Sequence, residues 1–110
     1  MLQNTVSITD CKDVANAVQW FKNGENTNAL LLTHRAFYGW ALTTLDPNQV
    51  VLYEYDDPAK TAATVVQEGH SQIYLIWWIN GLGWYGQPSV SSSFEMVYQS
   101  GRIAVYHYIG

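Results

Sequence analysis

The last forty residues, Ser71 to Gly110, carry two formal charges, Glu95 and Arg102, alongside nine aromatic side chains. A solvent-facing surface normally recruits Lys and Glu, so a stretch this poor in them must be covered on several sides or kept apolar for something that binds there. This constrains the fold directly. Ile73 to Ile79 has apolar residues on both alternating sets, the pattern of a strand covered on both faces, and Ala29 to Thr33 shows the same pattern upstream.

The whole chain, residues 1–110, fits one domain of α+β class. A chain of 110 residues buries about two thirds of its unfolded surface without disulfides. Charged residues make up 13% of it, about half the usual share, and aromatic residues 15%, so general disorder is excluded. The net charge of −4 opposes phosphate backbones and anionic lipid surfaces, which argues against nucleic-acid or membrane partners. Cys11 is the sole cysteine, so no internal disulfide or cysteine metal cluster forms, and the first residues lack a basic and an apolar leader region. A cytoplasmic setting is the expectation.

Thr5 to Thr9 alternates and reads as a strand, with Asp10 as side-chain cap of a helix whose stripe is Cys11, Val14, Val18 and Phe21 and whose stop is Asn23-Gly24. His34-Arg35 reads as a tight, solvated connection into a strand over Phe37 to Thr44. Asp46-Pro47-Asn48 is a turn cluster before the strand Val50 to Tyr55, and Asp57-Pro58 opens a second helix that runs through Val66 and ends at Gly69. Phe94 to Gln99 and Arg102 to Tyr108 flank Ser100-Gly101 as a hairpin turn. In that register Phe94, Met96 and Tyr98 share a face with Ile103, Val105 and His107, and Glu95 and Val97 share the other with Ala104, Tyr106 and Tyr108.

A shift of 44 residues superposes Val6 on Val50, Asp13 on Asp57, Ala15 on Ala59, Leu31 on Leu75, Gly39 on Gly83 and Trp40 on Trp84. The inferred elements superpose with them, which suggests two β-α-β-β units over residues 5–44 and 49–88 and a terminal hairpin over 92–109. The expected architecture is a curved, largely antiparallel sheet of six to eight strands with two helices. This pattern resembles the duplicated β-α-β-β architecture of the bacterial multidrug-recognising domains similar to gyrase inhibitor. It is more loosely similar to the paired βαβββ modules of the glyoxalase and bleomycin-resistance group, whose His and Glu metal ligands this chain lacks.

The candidate ligand-binding residues are Trp40, Trp78, Trp84, Tyr85, Glu95, Tyr106 and Tyr108, because Trp and Tyr join large contact area to a polar tip. Glu95 and Glu54 lie within aromatic strands, where a carboxylate beside ring faces suits a flat cation; pairing with Arg35 or Arg102 is the alternative use of either. His34, His70 and His107 have no metal-ligand spacing, and His107 faces the core beside Phe94 in the predicted register. Cys11 lies on the apolar stripe and reads as a buried structural thiol. Gly81-Leu82-Gly83 is not a phosphate-loop fingerprint, and no serine lies in a nucleophile-elbow frame.

No catalytic residue, metal or cofactor is therefore assigned. The leading expectation is a non-enzymatic binding module that holds a small aromatic or cationic molecule in a Trp/Tyr-lined cleft. The second is an interaction protein, of immunity or accessory type, that uses a charge-poor aromatic surface to meet a protein partner or to form a homo-oligomer.

Overall fold

The structure, a computed structural model, describes residues 10–24, 29–53, 58–70, 72–79 and 92–110. Its described elements run α1 (Cys11–Asn23), β1 (Ala29–His34), α2 (Arg35–Leu42), a short 3-10 turn (Pro47–Gln49), β2 (Val50–Tyr53), α3 (Pro58–Gln67), β3 (Gln72–Trp78), β4 (Phe94–Ser100) and β5 (Ile103–Tyr108). One sheet holds five strands in the order β2-β1-β3-β5-β4. It is an open α+β sheet.

α1 forms where its apolar stripe predicts a helix. Val14, Ala17, Val18 and Phe21 recur three and four residues apart and all are buried. Each large side chain removed from water this way stabilises by about 1.5–3 kcal/mol. Gly24 ends the helix, its N–H donating to the carbonyls of Trp20 and Phe21. α3 opens at Pro58, buries Ala62 and Val65, and gives way to Gly69 at φ +104, a left-handed conformation that glycine adopts without strain.

All six residues of β1 are buried, polar Thr33 and His34 among them. Thr33 is tolerated there because its Oγ1 donates to the Val51 carbonyl at 3.0 Å. β1 pairs in parallel with both β2 and β3, which explains its leucine run, since a parallel strand between two neighbours has no solvent face. β3 and β5 are antiparallel, as are β5 and β4, so β3 and β5 are interior strands too. The charge poverty of residues 72–78 and 103–108 reflects that position.

The sheet departs from the expected one in three respects. It is mixed, because two of its four pairings are parallel. Three α-helices stand among the described residues, because the segment that reads as a strand over Phe37 to Thr44 is α2. Five strands stand among the described residues, while the strand expected over Thr5 to Thr9 lies outside them. A chain leaving β1 to pair in parallel at β2 has to cross over, and a helix is the compact way to do so. Phe37 and Ala41, four apart and both fully buried, give α2 its inward face despite the strand preference of its aromatic residues. The β-α-β-β order is thus not met at this point in the first unit. The counterpart positions around Gly83 and Trp84 lie outside the described residues.

The C-terminal hairpin is present with a different turn and a bulge. Ser100 pairs with Ile103, so Gly101 and Arg102 form the turn, with Gly101 at φ +58. Next to the turn Tyr98 lies opposite Val105, on the face expected for it. Between Met96 and Tyr98 the register slips. Beyond the slip Met96 lies opposite Tyr106, Phe94 opposite Tyr108, and Glu95 opposite His107. Phe94 therefore sits with the tyrosines, its ring 5.4 Å from that of Tyr108, and His107 is on the other face.

Candidate binding surface

Pairing continues the His107 face across the whole sheet. Val50, Leu31, Tyr74, His107 and Glu95 form one row from β2 to β4, each opposite the next. α1 packs on this face, because Phe21 meets the Tyr74 ring edge-on at 5.5 Å. The Tyr74 ring lies 4.8 Å from the His107 ring, and His107 Nε2 is buried with no hydrogen-bond partner among the described residues. The row ends at Glu95, which is exposed.

Alongside, Trp20 of α1 stacks on Tyr98 of β4, with ring centroids 5.0 Å apart and planes at 18°. Both rings are half-buried. Because the bulge absorbs one residue, Glu95 and Tyr98 are neighbours on this face. Among the described residues Glu95 makes no hydrogen bond or ion pair. Trp20 and Phe21 belong to the last turn of α1, whose carbonyl end carries partial negative charge. An unpaired carboxylate, a stacked pair of rings and a helix C-terminus thus lie at one end of the sheet, a combination that attracts positive charge.

The other expected contributors are dispersed. Trp78 is 1% exposed, in contact with Phe37 at 4.5 Å, and its Nε1 donates to Asp10 at 3.2 Å. Tyr106 is buried on the face opposite Glu95, and burial pushes its hydroxyl pKa up. Tyr108 is half-buried against Phe94 on that same opposite face. Trp40 is half-buried on α2. Trp84, Tyr85 and Glu54 lie outside the described residues. Of the described candidates, then, Glu95 alone joins the surface shared by β4 and α1. Trp20 and Tyr98 are not in the set that the sequence nominates. The α1 stripe with Trp20 adjoining it points toward the sheet, yet only the strand order brings α1 over β4.

The polar residues at the far end of α1 hold the hairpin turn. Asp10, 2% exposed, accepts from Arg102 Nη2 at 2.7 Å and from Arg102 Nε at 3.2 Å. The guanidinium pKa is raised, chiefly by the side-chain hydrogen bond to Asp10 and then by its charge. Ser100 Oγ donates to Asp13 at 2.8 Å and accepts from Asn16 at 3.2 Å. Asp10 makes no side-chain cap to α1, contrary to the local expectation, and Arg102 is paired with it instead of with a glutamate.

The remaining candidates are also altered by the fold. His34 is not a solvated turn residue but the buried last residue of β1, edge-on to Trp77 at 5.8 Å. Cys11 is half-buried instead of buried. His70 is exposed. Among the described residues no group of three His, Cys, Asp or Glu side chains is placed to hold a metal ion, and no helix is long and apolar enough to cross a membrane.

Fold and surface together define a class: an open, mixed α+β sheet with an acidic aromatic patch where its edge strand meets a helix. No family model, no curated protein and no solved structure matches this chain.

Proposed function

We propose that this protein is a non-enzymatic binding module that recognises a positively charged group on the surface shared by β4 and α1. One observation carries the reading: Glu95 is exposed and unpaired beside the stacked Trp20 and Tyr98 rings. A carboxylate and ring faces attract the same ligand, since a cation gains from the charge of one and the quadrupole of the other. A flat cation is the ligand class this arrangement suits. The test is tryptophan emission of wild-type protein and of Glu95→Gln titrated with benzamidine and with phenyltrimethylammonium, alongside native mass spectrometry. Saturable quenching that is lost in Glu95→Gln is the expected result. Equal response of both proteins would remove the site.

A second reading is supported by a separate observation. Met96 and Val97, next to Glu95 on edge strand β4, are 42% and 39% exposed. Exposed apolar residues beside a charged anchor form the core of many protein interfaces, which suits a protein partner or a second copy of the chain. Sedimentation velocity across a hundredfold concentration range separates the two, because self-association raises the mass with concentration.

A further inference from the structure

The surface contains two requirements that one chemical group meets together. Glu95 offers two carboxylate oxygens without a partner among the described residues, and Trp20 and Tyr98 offer half-exposed rings within 18° of parallel. An ammonium is a compact, strongly hydrated charge that bonds to carboxylate from any direction and does not stack. A guanidinium is planar and more weakly hydrated; it lies flat on an aromatic ring while its edge donates two parallel hydrogen bonds to a carboxylate. We infer that the group taken by this surface is the guanidinium of an arginine side chain on a partner protein. The inference rests on the cation-binding reading and narrows it.

Among the described side chains, no lysine or arginine fills the place. Arg102 is held by Asp10 at the opposite end of α1, and Lys12 lies in the first turn of that helix. Lys60 belongs to α3. Lys22 lies in the last turn of α1, two positions from Trp20 and so on a different side of the helix, exposed and with no partner among the described residues. The net charge of −4 favours approach of a basic partner.

The source is a protein because the patch is an open surface with an apolar flank at Val97. One exposed carboxylate and one ring pair hold a free guanidinium weakly, since most of the gain is spent on immobilising it. Val97, 39% exposed at the slip between Glu95 and Tyr98, supplies adjacent apolar contact that a polypeptide reaches and a small cation does not. The slip at Met96 to Tyr98 interrupts the regular hydrogen-bonding edge of β4, so the partner docks by side chains on the face and does not add a strand.

The experiment follows the Trp20 indole N–H resonance of isotope-labelled protein, assigned with Trp20→Phe. Four probes are titrated: the peptide acetyl-Gly-Leu-Arg-Leu-Gly-amide, its lysine and citrulline counterparts, and acetyl-arginine amide. The arginine peptide is expected to bind at least about tenfold more tightly than each of the other three and to lose that advantage in Glu95→Gln, whose fold is checked by its spectrum. Equal affinity for the lysine peptide overturns the guanidinium assignment while leaving a cation site. Equal affinity for acetyl-arginine amide overturns the protein source. No shift with any probe overturns this inference and the cation reading together.

Discussion

Asp10 and Arg102, 92 residues apart, meet in a two-point carboxylate–guanidinium contact in which Asp10 is buried and the Arg102 side chain is half exposed. Through it the start of α1 grips the turn of the β4–β5 hairpin, with the Trp78 indole donating to the same carboxylate from β3. The asymmetry of burial decides what its loss costs. Asp10→Ala removes the acceptor for three N–H donors and is expected to destabilise by about 3 kcal/mol. Arg102→Ala leaves the buried Asp10 carboxylate without its counter-charge and is expected to cost at least as much, about 3 kcal/mol. Urea midpoints of both variants check this, and a clearly smaller loss in Arg102→Ala would show that water entering the vacated place solvates Asp10.

Gly101 combines a φ of +58 with a close approach, because a Cβ there would run into the Asp13 carboxylate. Gly101→Ala is expected to cost about 1–2 kcal/mol. In an Asp13→Ala background the steric part disappears and the backbone part stays, so the combined loss falls below the sum of the two single losses. Thermal unfolding of the four proteins measures that coupling.

Burial raises the Tyr106 pKa above the ordinary phenol value. Below about pH 10 the hydroxyl is protonated in folded and unfolded chains alike and contributes no pH dependence. Above it the unfolded chain ionises first and binds fewer protons, so stability falls as pH rises toward the folded value. Urea denaturation between about pH 8 and about pH 11.5 is expected to show that fall, and Tyr106→Phe is expected to flatten it.

The Trp20–Tyr98 stack ties α1 to an edge strand. Alanine substitution of each, taken as a double-mutant cycle, is expected to give a coupling of about 0.5–1.5 kcal/mol. A coupling indistinguishable from zero would mean that the rings are neighbours without mutual stabilisation.

Glu95→Gln is expected to change stability by less than about 0.5 kcal/mol, because the carboxylate is exposed and makes no contact that folding depends on. Chemical denaturation checks this. The result also licenses the variant as a probe of binding.

Much of the sheet is legible in the sequence because burial on both faces leaves a local mark. Leu30, Leu31 and Leu32, and the run from Ile73 to Trp78, announce interior strands by lacking a polar set. The spacing of Val14, Val18 and Phe21 announces a helix in the same way. The segment around Trp40 reads locally as a strand, since Phe, Tyr and Trp suit strands when neighbours are ignored, and the parallel crossover that makes it helical is a property of pairing. The site is less legible than the fold. Trp78 and Tyr106 stand out as aromatic residues in a charge-poor run, and that run is charge-poor because its strands are interior.

The sequence by itself determined the features set by neighbours along the chain: one helix with a single apolar stripe, two strands with no wet face, a hairpin at the end, and an acidic surface. Tertiary structure decided the rest, because the deciding contacts join residues far apart in sequence. Asp10 had the local option of capping its own helix and bonds instead to Arg102 and Trp78, whose donors reach a carboxylate shielded from water. Glu95 had the option of pairing with Arg102 and ends unpaired, because a one-residue slip in β4 and the strand order place it beside Trp20 and Tyr98 while Asp10 takes the arginine. Periodicity is written in a few consecutive residues; which strand lies beside which, and in what register, depends on the free energy of packing them all at once.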